Sequence, residues 1–213
     1  MEFDRNSLLL YAVTDRAWEG KQTLPEQIEA ALAGGVTCVQ LREKHLDHDA
    51  FVREALQVKA LCHRYGVPFI INDNVDVALR SGADGVHVGI EDVPVADIRR
   101  RVGRDFIIGA TAKTVDQARA AEAAGADYLG VGAVFPSPTK TNAIRITAEQ
   151  LREICASVSI PAVAIGGITL ENAPTLAGCG AAGIAVVSAI FGAPDVRAAA
   201  AALRQTALTL TTA

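Results

Sequence analysis

Two stretches, Ser81-Gly82-Ala83-Asp84-Gly85-Val86 and Ala124-Gly125-Ala126-Asp127-Tyr128, are near copies of each other. Each closes a helical pattern and opens an apolar run. Looser copies stand at Ala33-Gly34-Gly35-Val36 and Gly178-Cys179-Gly180-Ala181-Ala182-Gly183. The four copies begin roughly 50 residues apart, the length of two strand–helix units. They lead into the second, fourth, sixth and eighth of eight apolar runs, at 8–13, 36–41, 68–71, 85–88, 106–109, 128–131, 162–165 and 183–187. Most of these runs are apolar throughout rather than alternating, as parallel strands covered on both faces are. Eight strands alternating with eight helices predict an α/β fold, a closed TIM (β/α)8 barrel, with 1–213 as a single domain. An open doubly wound sheet is the alternative.

Helix starts carry their own signals. Thr23-Leu24-Pro25-Glu26, Thr114-Val115-Asp116-Gln117 and Thr147-Ala148-Glu149-Gln150 read as capping boxes. Asp49 is placed to cap the helix that carries Phe51, Ala55 and Leu56. Gly34, Gly66, Gly82, Gly125 and Gly180 follow helical runs, the C-terminal glycine signal.

Composition narrows the function. The chain has 213 residues, half of them hydrophobic, 5% aromatic and 21% charged, with a formal net charge of −4. Few aromatics and an acidic balance argue against a nucleic-acid partner or an anionic membrane surface. Residues 172–194 carry no charge, but Pro174, Gly178, Gly180, Gly183 and Gly192 interrupt them, so they predict no membrane span. The first ten residues lack the long apolar core of a signal peptide. Cys38, Cys62, Cys155 and Cys179 form no C-x-x-C pair and read as reduced thiols of a cytoplasmic protein.

In such a barrel the chemistry lies where strands end. Behind the second strand, alternation puts Gln40, Arg42 and Lys44 on one side. Neighbouring cations repel unless an anion lies between them, as a di- or triphosphate would. The competing reading is a solvated strand end with salt bridges, for instance to Glu43. Behind the third strand stand Asn72, Asp73 and Asn74, and behind the fourth Glu91 and Asp92. Asp73 and Asp92 suit oxygen ligation of Mg2+ beside substrate phosphates, while Asn74 suits a helix cap. Thr111, behind the fifth strand, can donate to a substrate oxygen, and Thr114 reads as a cap. The stretch 134–143 behind the sixth strand is the longest irregular one, with Ser137, Thr139 and Lys140 between and after its prolines. Behind the seventh and eighth strands, Gly166-Gly167 and Ser188 fit the monophosphate grip of these barrels. No Cys or His stands out as a nucleophile or base; His45, His48, His63 and His87 read as structural. Two phosphorylated substrates joined with loss of pyrophosphate fit this plan.

Taken in order, Leu10-Tyr11-Ala12-Val13-Thr14-Asp15-Arg16, Gln40-Leu41-Arg42-Glu43-Lys44, Ile71-Asn72-Asp73, Asp84-Gly85-Val86-His87-Val88-Gly89, Gly132-Ala133-Val134-Phe135-Pro136-Ser137-Pro138-Thr139-Lys140 and Ala164-Ile165-Gly166-Gly167-Ile168 resemble the thiamine phosphate synthase family. The resemblance implies a transferase of thiamine biosynthesis. Such an enzyme joins 4-amino-5-hydroxymethyl-2-methylpyrimidine diphosphate to thiazole phosphate or its carboxylated form, which also loses CO2. It gives thiamine monophosphate and pyrophosphate, requires Mg2+, and passes through a pyrimidine carbocation. By the same resemblance, Gln40, Arg42, Lys44, Asn72 and Lys140 bind the pyrimidine diphosphate, and Asp73 and Asp92 bind the metal. Ser137 and Thr139 touch the thiazole, and Gly167, Val187 and Ser188 hold its phosphate. Arg42, Lys44 and Lys140 are the residues expected to act on the leaving group. Thr111 stands where the family often has Ser. Ile90 and Lys113 depart from the family's Gln and His, and Lys113 is expected to add a cation near the pyrophosphate.

Two other readings share the barrel. A thiazole tautomerase, an isomerase, would need no metal and would leave Asp73, Asp92, Lys44 and Lys140 without a common purpose. A non-catalytic ligand-binding barrel would not need that set either.

Overall fold

The structure, a computed structural model, describes residues 3–20, 22–137 and 144–211. Eight parallel strands pair in chain order and close: β1 (Leu10–Val13), β2 (Cys38–Leu41), β3 (Phe69–Asn72), β4 (Gly85–Val88), β5 (Ile107–Ala112), β6 (Tyr128–Gly132), β7 (Ala162–Ile165) and β8 (Gly183–Val186). Leu10, Tyr11 and Ala12 of β1 register against Ile184, Ala185 and Val186 of β8, which removes both sheet edges. The open doubly wound alternative is excluded.

The strand period of two sorts the side chains. Leu10, Ala12, Val39, Leu41, Phe69, Ile71, Val86 and Val88 pack outward with the helices. Tyr11, Val13, Cys38, Ile70, Tyr128, Val163 and Ala185 fill the lumen, closed below by Leu8. Both faces are dry, which is why the runs read as apolar throughout.

The repeated Gly-Ala-Asp motif has a defined job. Asp84 donates its N–H to the Phe69 carbonyl (2.9 Å), and its carboxylate accepts the Phe69 N–H (2.8 Å). Asp127 clasps Ile108 in the same way, at 2.8 and 2.7 Å. Thr37, just past the first copy, does so for Leu10 through its hydroxyl, at 2.9 Å for each bond. Each clasp satisfies a first ladder donor of the preceding strand, which would otherwise be left unpaired. In the last copy Ala182 supplies only its N–H, to Ala162 (2.7 Å).

Around the barrel lie α1 (Leu24–Ala33), α2 (His48–Arg64), α3 (Val75–Ser81), α4 (Val95–Val102), α5 (Val115–Ala123), α6 (Ala148–Ala156), the short α7 (Ser188–Phe191) and α8 (Val196–Thr211). Among the described residues the count of eight α-helices is met, but their distribution is not one per strand. After β7 the chain makes only a 3-10 turn, Ala173–Leu176, with Pro174 in its first turn, and both α7 and α8 follow β8. Proline supplies no N–H and Gly178 soon follows with positive φ, which suits a tight turn better than a helix.

Other boundaries also shift. The run beginning at residue 8 splits, because Asp4 caps a 3-10 turn, Arg5–Leu8, before β1. Thr23 and Thr147 make complete capping boxes with Glu26 and Gln150. Thr114 makes half of one: it accepts the Gln117 N–H (3.2 Å), but the Gln117 side chain turns to the Lys113 N–H (2.8 Å). Asp47, not Asp49, caps α2 by accepting the Ala50 N–H (2.8 Å), and Asp49 pairs with Arg80 (3.1 Å). Gly34 stays right-handed; a Cβ there would meet Arg197 and Ala200 of α8, so it is glycine for close packing, and Gly35 takes the positive φ.

Removing a clasp leaves a strand donor unpaired and, at Asp127, also takes the carboxylate from Arg99 (2.6 Å), which keeps its bonds to the Gly103, Phe106 and Gly125 carbonyls. Asp127→Ala should lower unfolding free energy by about 2 kcal/mol and Thr37→Val by about 1 kcal/mol in urea titrations. Equal stability of Asp127→Ala and the parent would show that the clasp is dispensable.

Candidate functional site

At the carboxyl ends of the strands a central pocket of about 210 Å3 opens into the lumen. Gln40, Arg42, Asn72, Thr111, Ser137, Gly167, Val187 and Ser188, all expected from the sequence, line it. Lys113 lines it too. Beside it runs a groove of about 520 Å3 lined by Lys44, Asn72 and Asp73 among others. Asn72 is shared by both spaces. β2 ends at Leu41, so alternation no longer governs Lys44, which faces the groove instead of standing beside Gln40 and Arg42. Thr139 and Lys140 lie outside the described residues. Ile90, Glu91 and the expected metal ligand Asp92 are exposed and line neither space.

Each described cation of β2's end is already held by a carboxylate. The Arg42 guanidinium reaches Asp15 at 2.7 Å, and the Arg42 N–H donates to Thr14 Oγ1 at 2.9 Å. Glu43, expected beside Arg42, is turned away to Arg16 (2.9 Å), which also grips Glu54 (2.7 Å). The neighbours Asp15 and Arg16 thus pair with the neighbours Arg42 and Glu43, tying the loop behind β1 to the end of β2.

Lys44 Nζ lies 2.6 Å from Asp73. Asp73 sits at φ 62 in a tight turn closed by the Asn74 N–H on the Asn72 carbonyl (2.7 Å). A branched-Cβ residue would find this conformation costly, and Asp is among the types that tolerate it. The Asn74 side chain accepts the Val77 N–H and caps α3, as expected.

Asp92 accepts the Gly89 N–H at 2.7 Å and shares a hydrogen bond with Asp73. Burial raises the Asp92 pKa, and the Asp73 charge adds to that. Burial also pushes Asp73 up, but Lys44 and the bond to Asp92 bring it below the usual range. Like charges this close disfavour each other, and the Lys44 ammonium at Asp73 offsets part of that repulsion. Among the described residues no group of three or more His, Cys, Asp or Glu side chains gathers as a metal cluster.

The pocket floor holds a feature that the sequence reading did not find. Gln40 Nε2 donates to Tyr11 Oη (2.8 Å), which bonds Tyr128 Oη (2.7 Å), which bonds His87 Nδ1 (3.1 Å). His87 Nε2 completes the chain on Thr111 Oγ1 (3.1 Å). Burial drives the His87 pKa from 6.5 down to about 4, against the pull of Asp73. Gly109 and Gly130 make room for these rings: a Cβ on either would strike His87, and on Gly109 also Tyr128. The available signal was alternation: His87 between two valines, with inward Gly109 and Gly130 on the next two strands.

On the far side, Gly166 and Gly167 lie under the segment behind β6. The Val134 and Phe135 N–H groups bond the Ile165 and Gly166 carbonyls, and a Cβ on Gly167 would meet Pro136. Close packing of two loops is therefore the first reason for that glycine pair. The backbone of Gly167 still lines the pocket, opposite Arg42.

A family model described as thiamine monophosphate synthase matches residues 10–190. A thiamine-phosphate synthase of Ruminiclostridium cellulolyticum is 49% identical over 191 residues, 90% of this chain and 91% of that one. One of Methanobrevibacter smithii is 47% identical over 192 residues, again 90% and 91%. The solved structure of a thiamine phosphate pyrophosphorylase from Pyrococcus furiosus superposes with a TM-score of 0.89 at 41% identity, over 97% of this chain and 98% of that one.

The buried neutral imidazole has a pH signature. The unfolded chain binds the His87 proton near 6.5 and the folded chain only near 4. The stability from keeping it neutral is fully present above 6.5 and is lost as pH falls toward 4, by roughly 3 kcal/mol at the limit. Urea titrations at about pH 7 and about pH 4.5 should show a shallower decline for His87→Gln than for the parent. Equal slopes would mean that His87 does not contribute this term.

Proposed function

The chain belongs to the thiamine monophosphate synthase family, and we propose that it carries out that family's condensation at the barrel mouth. It is a transferase acting on small phosphorylated substrates, pyrimidine diphosphate and thiazole phosphate, and it forms thiamine monophosphate and pyrophosphate. No helix among the described residues is long and apolar enough to cross a membrane. The observation that carries the site assignment is the division of one mouth. Lys44 stands with Asp73 and Asp92 at the β2–β4 ends, Arg42 lines the central pocket on Asp15, and Gly167, Val187 and Ser188 line the same pocket from β7 and β8.

The chemistry needs no protein nucleophile. His87 is the imidazole that lines the central pocket, and both of its nitrogens are occupied. Burial pushes the Cys62 thiol up to about 12 and Cys38 well above its usual value. The methylene–oxygen bond to pyrophosphate breaks, the bonding pair leaves with the oxygen, and the thiazole nitrogen supplies the pair for the new bond. The chain's part is to orient the two substrates and to stabilise charge on the departing group. Arg42, Lys44 and Lys140 are assigned to the pyrophosphate, and Lys113 adds a cation at the pocket wall. Gln40, Asn72 and Thr111 are assigned to the pyrimidine, Ser137 and Thr139 to the thiazole, and Gly167, Val187 and Ser188 to its phosphate.

Asp73 and Asp92 fit Mg2+. Their carboxylates lie against each other at neighbouring strand ends, and together they would hold the ion beside substrate phosphate oxygens. When bound there, Mg2+ neutralises charge on the pyrophosphate. Lys44 and Asp92 hold the Asp73 carboxylate in place in the meantime.

Purified protein mixed with both substrates and Mg2+ should yield thiamine monophosphate and pyrophosphate, and none after chelation. No product in either case removes the synthase reading, and equal product after chelation removes the Asp73 and Asp92 assignment. Lys140→Ala should lower kcat by about 100-fold or more at an unchanged melting temperature. Near-parental rates would take Lys140 out of the site.

A further inference from the structure

The floor chain of Gln40, Tyr11, Tyr128, His87 and Thr111 has a direction. Each buried hydroxyl has one proton to give, so the sense of one bond dictates the next. Tyr11 and Tyr128 are fully buried, and Gln40 and His87 nearly so. Gln40 Nε2 donates to Tyr11 Oη, so the Tyr11 proton needs another acceptor. Two are in reach: Tyr128 Oη at 2.7 Å and the Cys38 thiol. Sulfur is the weaker acceptor, so the proton goes to Tyr128. Tyr128 then gives its own proton to His87 Nδ1. An Nδ1 that accepts leaves the imidazole proton on Nε2, which donates to Thr111 Oγ1. The Thr111 hydroxyl, having accepted, directs its proton into the pocket it lines. At the other end, one of the two Gln40 amide N–H groups is committed to Tyr11, which holds Nε2 at the floor and leaves the carbonyl oxygen as the acceptor offered to the pocket.

We propose that Tyr11, Tyr128 and His87 are positioning residues that order these protons, so that Gln40 meets the substrate as an acceptor and Thr111 meets it as a donor. A ring with an amino group at one edge and an unprotonated nitrogen at another matches both ends. A ring with an oxo group and a ring N–H presents the opposite order, setting acceptor against the Gln40 carbonyl and donor against the Thr111 proton, a mismatch of the kind by which polar sites discriminate. The substrate class in this statement rests on the aminopyrimidine reading above; the proton order does not.

The opposite sense of the chain is the competing state, reached by reversing the Gln40 amide or by turning the Tyr11 proton to Cys38. With the Gln40 amide reversed, Tyr11 donates to it, Tyr128 to Tyr11, His87 Nδ1–H to Tyr128, and Thr111 to His87 Nε2. Nitrogen-15 NMR of the full, histidine-labelled protein separates the two states without any turnover. The expected result is a neutral His87 protonated on Nε2 at neutral pH. An Nδ1–H tautomer or an imidazolium overturns the proposal whether or not the protein makes thiamine monophosphate.

Kinetics supply the second arm. His87→Gln keeps an N–H near the Nε2 position and should hold the KM for the pyrimidine diphosphate within a few-fold of the parent. His87→Leu should raise that KM about 10- to 100-fold and leave the KM for thiazole phosphate unchanged. In a Thr111→Val background, His87→Leu should cause no further rise, because the two act through one bond. Independent losses, or equal losses for Gln and Leu at position 87, would mean that His87 merely fills space. The 4-oxo analogue of the pyrimidine diphosphate should compete at least about tenfold more weakly than the amino form; equal competition overturns the donor–acceptor order.

Discussion

The hydrogen bond between Tyr11 and Tyr128, 2.7 Å across the lumen, is the constraint on which the site depends. A closed eight-stranded barrel must fill its interior with side chains, and here it does so largely with two phenols. A buried hydroxyl without a partner costs about 1–3 kcal/mol, so two of them in a dry lumen must satisfy each other. Once paired, each still has capacity to spare, and that capacity is spent upward on Gln40 and His87. The floor of the pocket is the upper surface of the barrel's own packing. Gly109 and Gly130 are glycine because His87 and Tyr128 occupy the space a Cβ would take.

The rim follows a different logic. Arg42 with Asp15, Lys44 with Asp73 and Arg16 with Glu43 and Glu54 are partly exposed ion pairs. Pairs of this kind add little to stability. Their effect is positional: the cations stand in fixed places before any anion arrives. The net charge of −4 describes the whole surface, while these cations concentrate at one end.

Much of this was legible from residue patterns, and the failures share a cause. The closed barrel followed from the repeated Gly-Ala-Asp motif and the unbroken apolar runs. The capping boxes at Thr23 and Thr147 are local patterns and were read correctly. Thr114 and Asp49 were misread where two local partners compete, and the partner of Arg42 was not visible because it is distant in sequence. Gln117 can cap either Thr114 or Lys113, Asp47 stands two residues from Asp49, and Asp15 reaches Arg42 only through the fold. The missing α-helix after β7 had its signals, Pro174 and Gly178, but an ordered unit count outweighed them. Tyr11, Tyr128 and His87 were hidden because each is apolar or structural by type. They become a unit only when the eight-stranded barrel closes and brings β1, β4 and β6 around one lumen. Asn72, Asp73 and the other polar strand ends were visible because polar residues interrupt apolar runs there.

Depth then sorts the chemistry of the mouth. At the floor, burial makes charge expensive, and His87 stays neutral there with a pKa near 4. Such a floor suits a neutral heteroaromatic ring and reads it by hydrogen-bond order. At the rim, water and carboxylates support Arg42 and Lys44, and charge is tolerated. A substrate with a neutral ring at one end and a diphosphate at the other has its two halves matched to these two depths. The same gradient assigns the reaction's roles. The ring end is held by direction without charge, and the bond that breaks lies between the two zones, where the departing charge moves outward toward the cations.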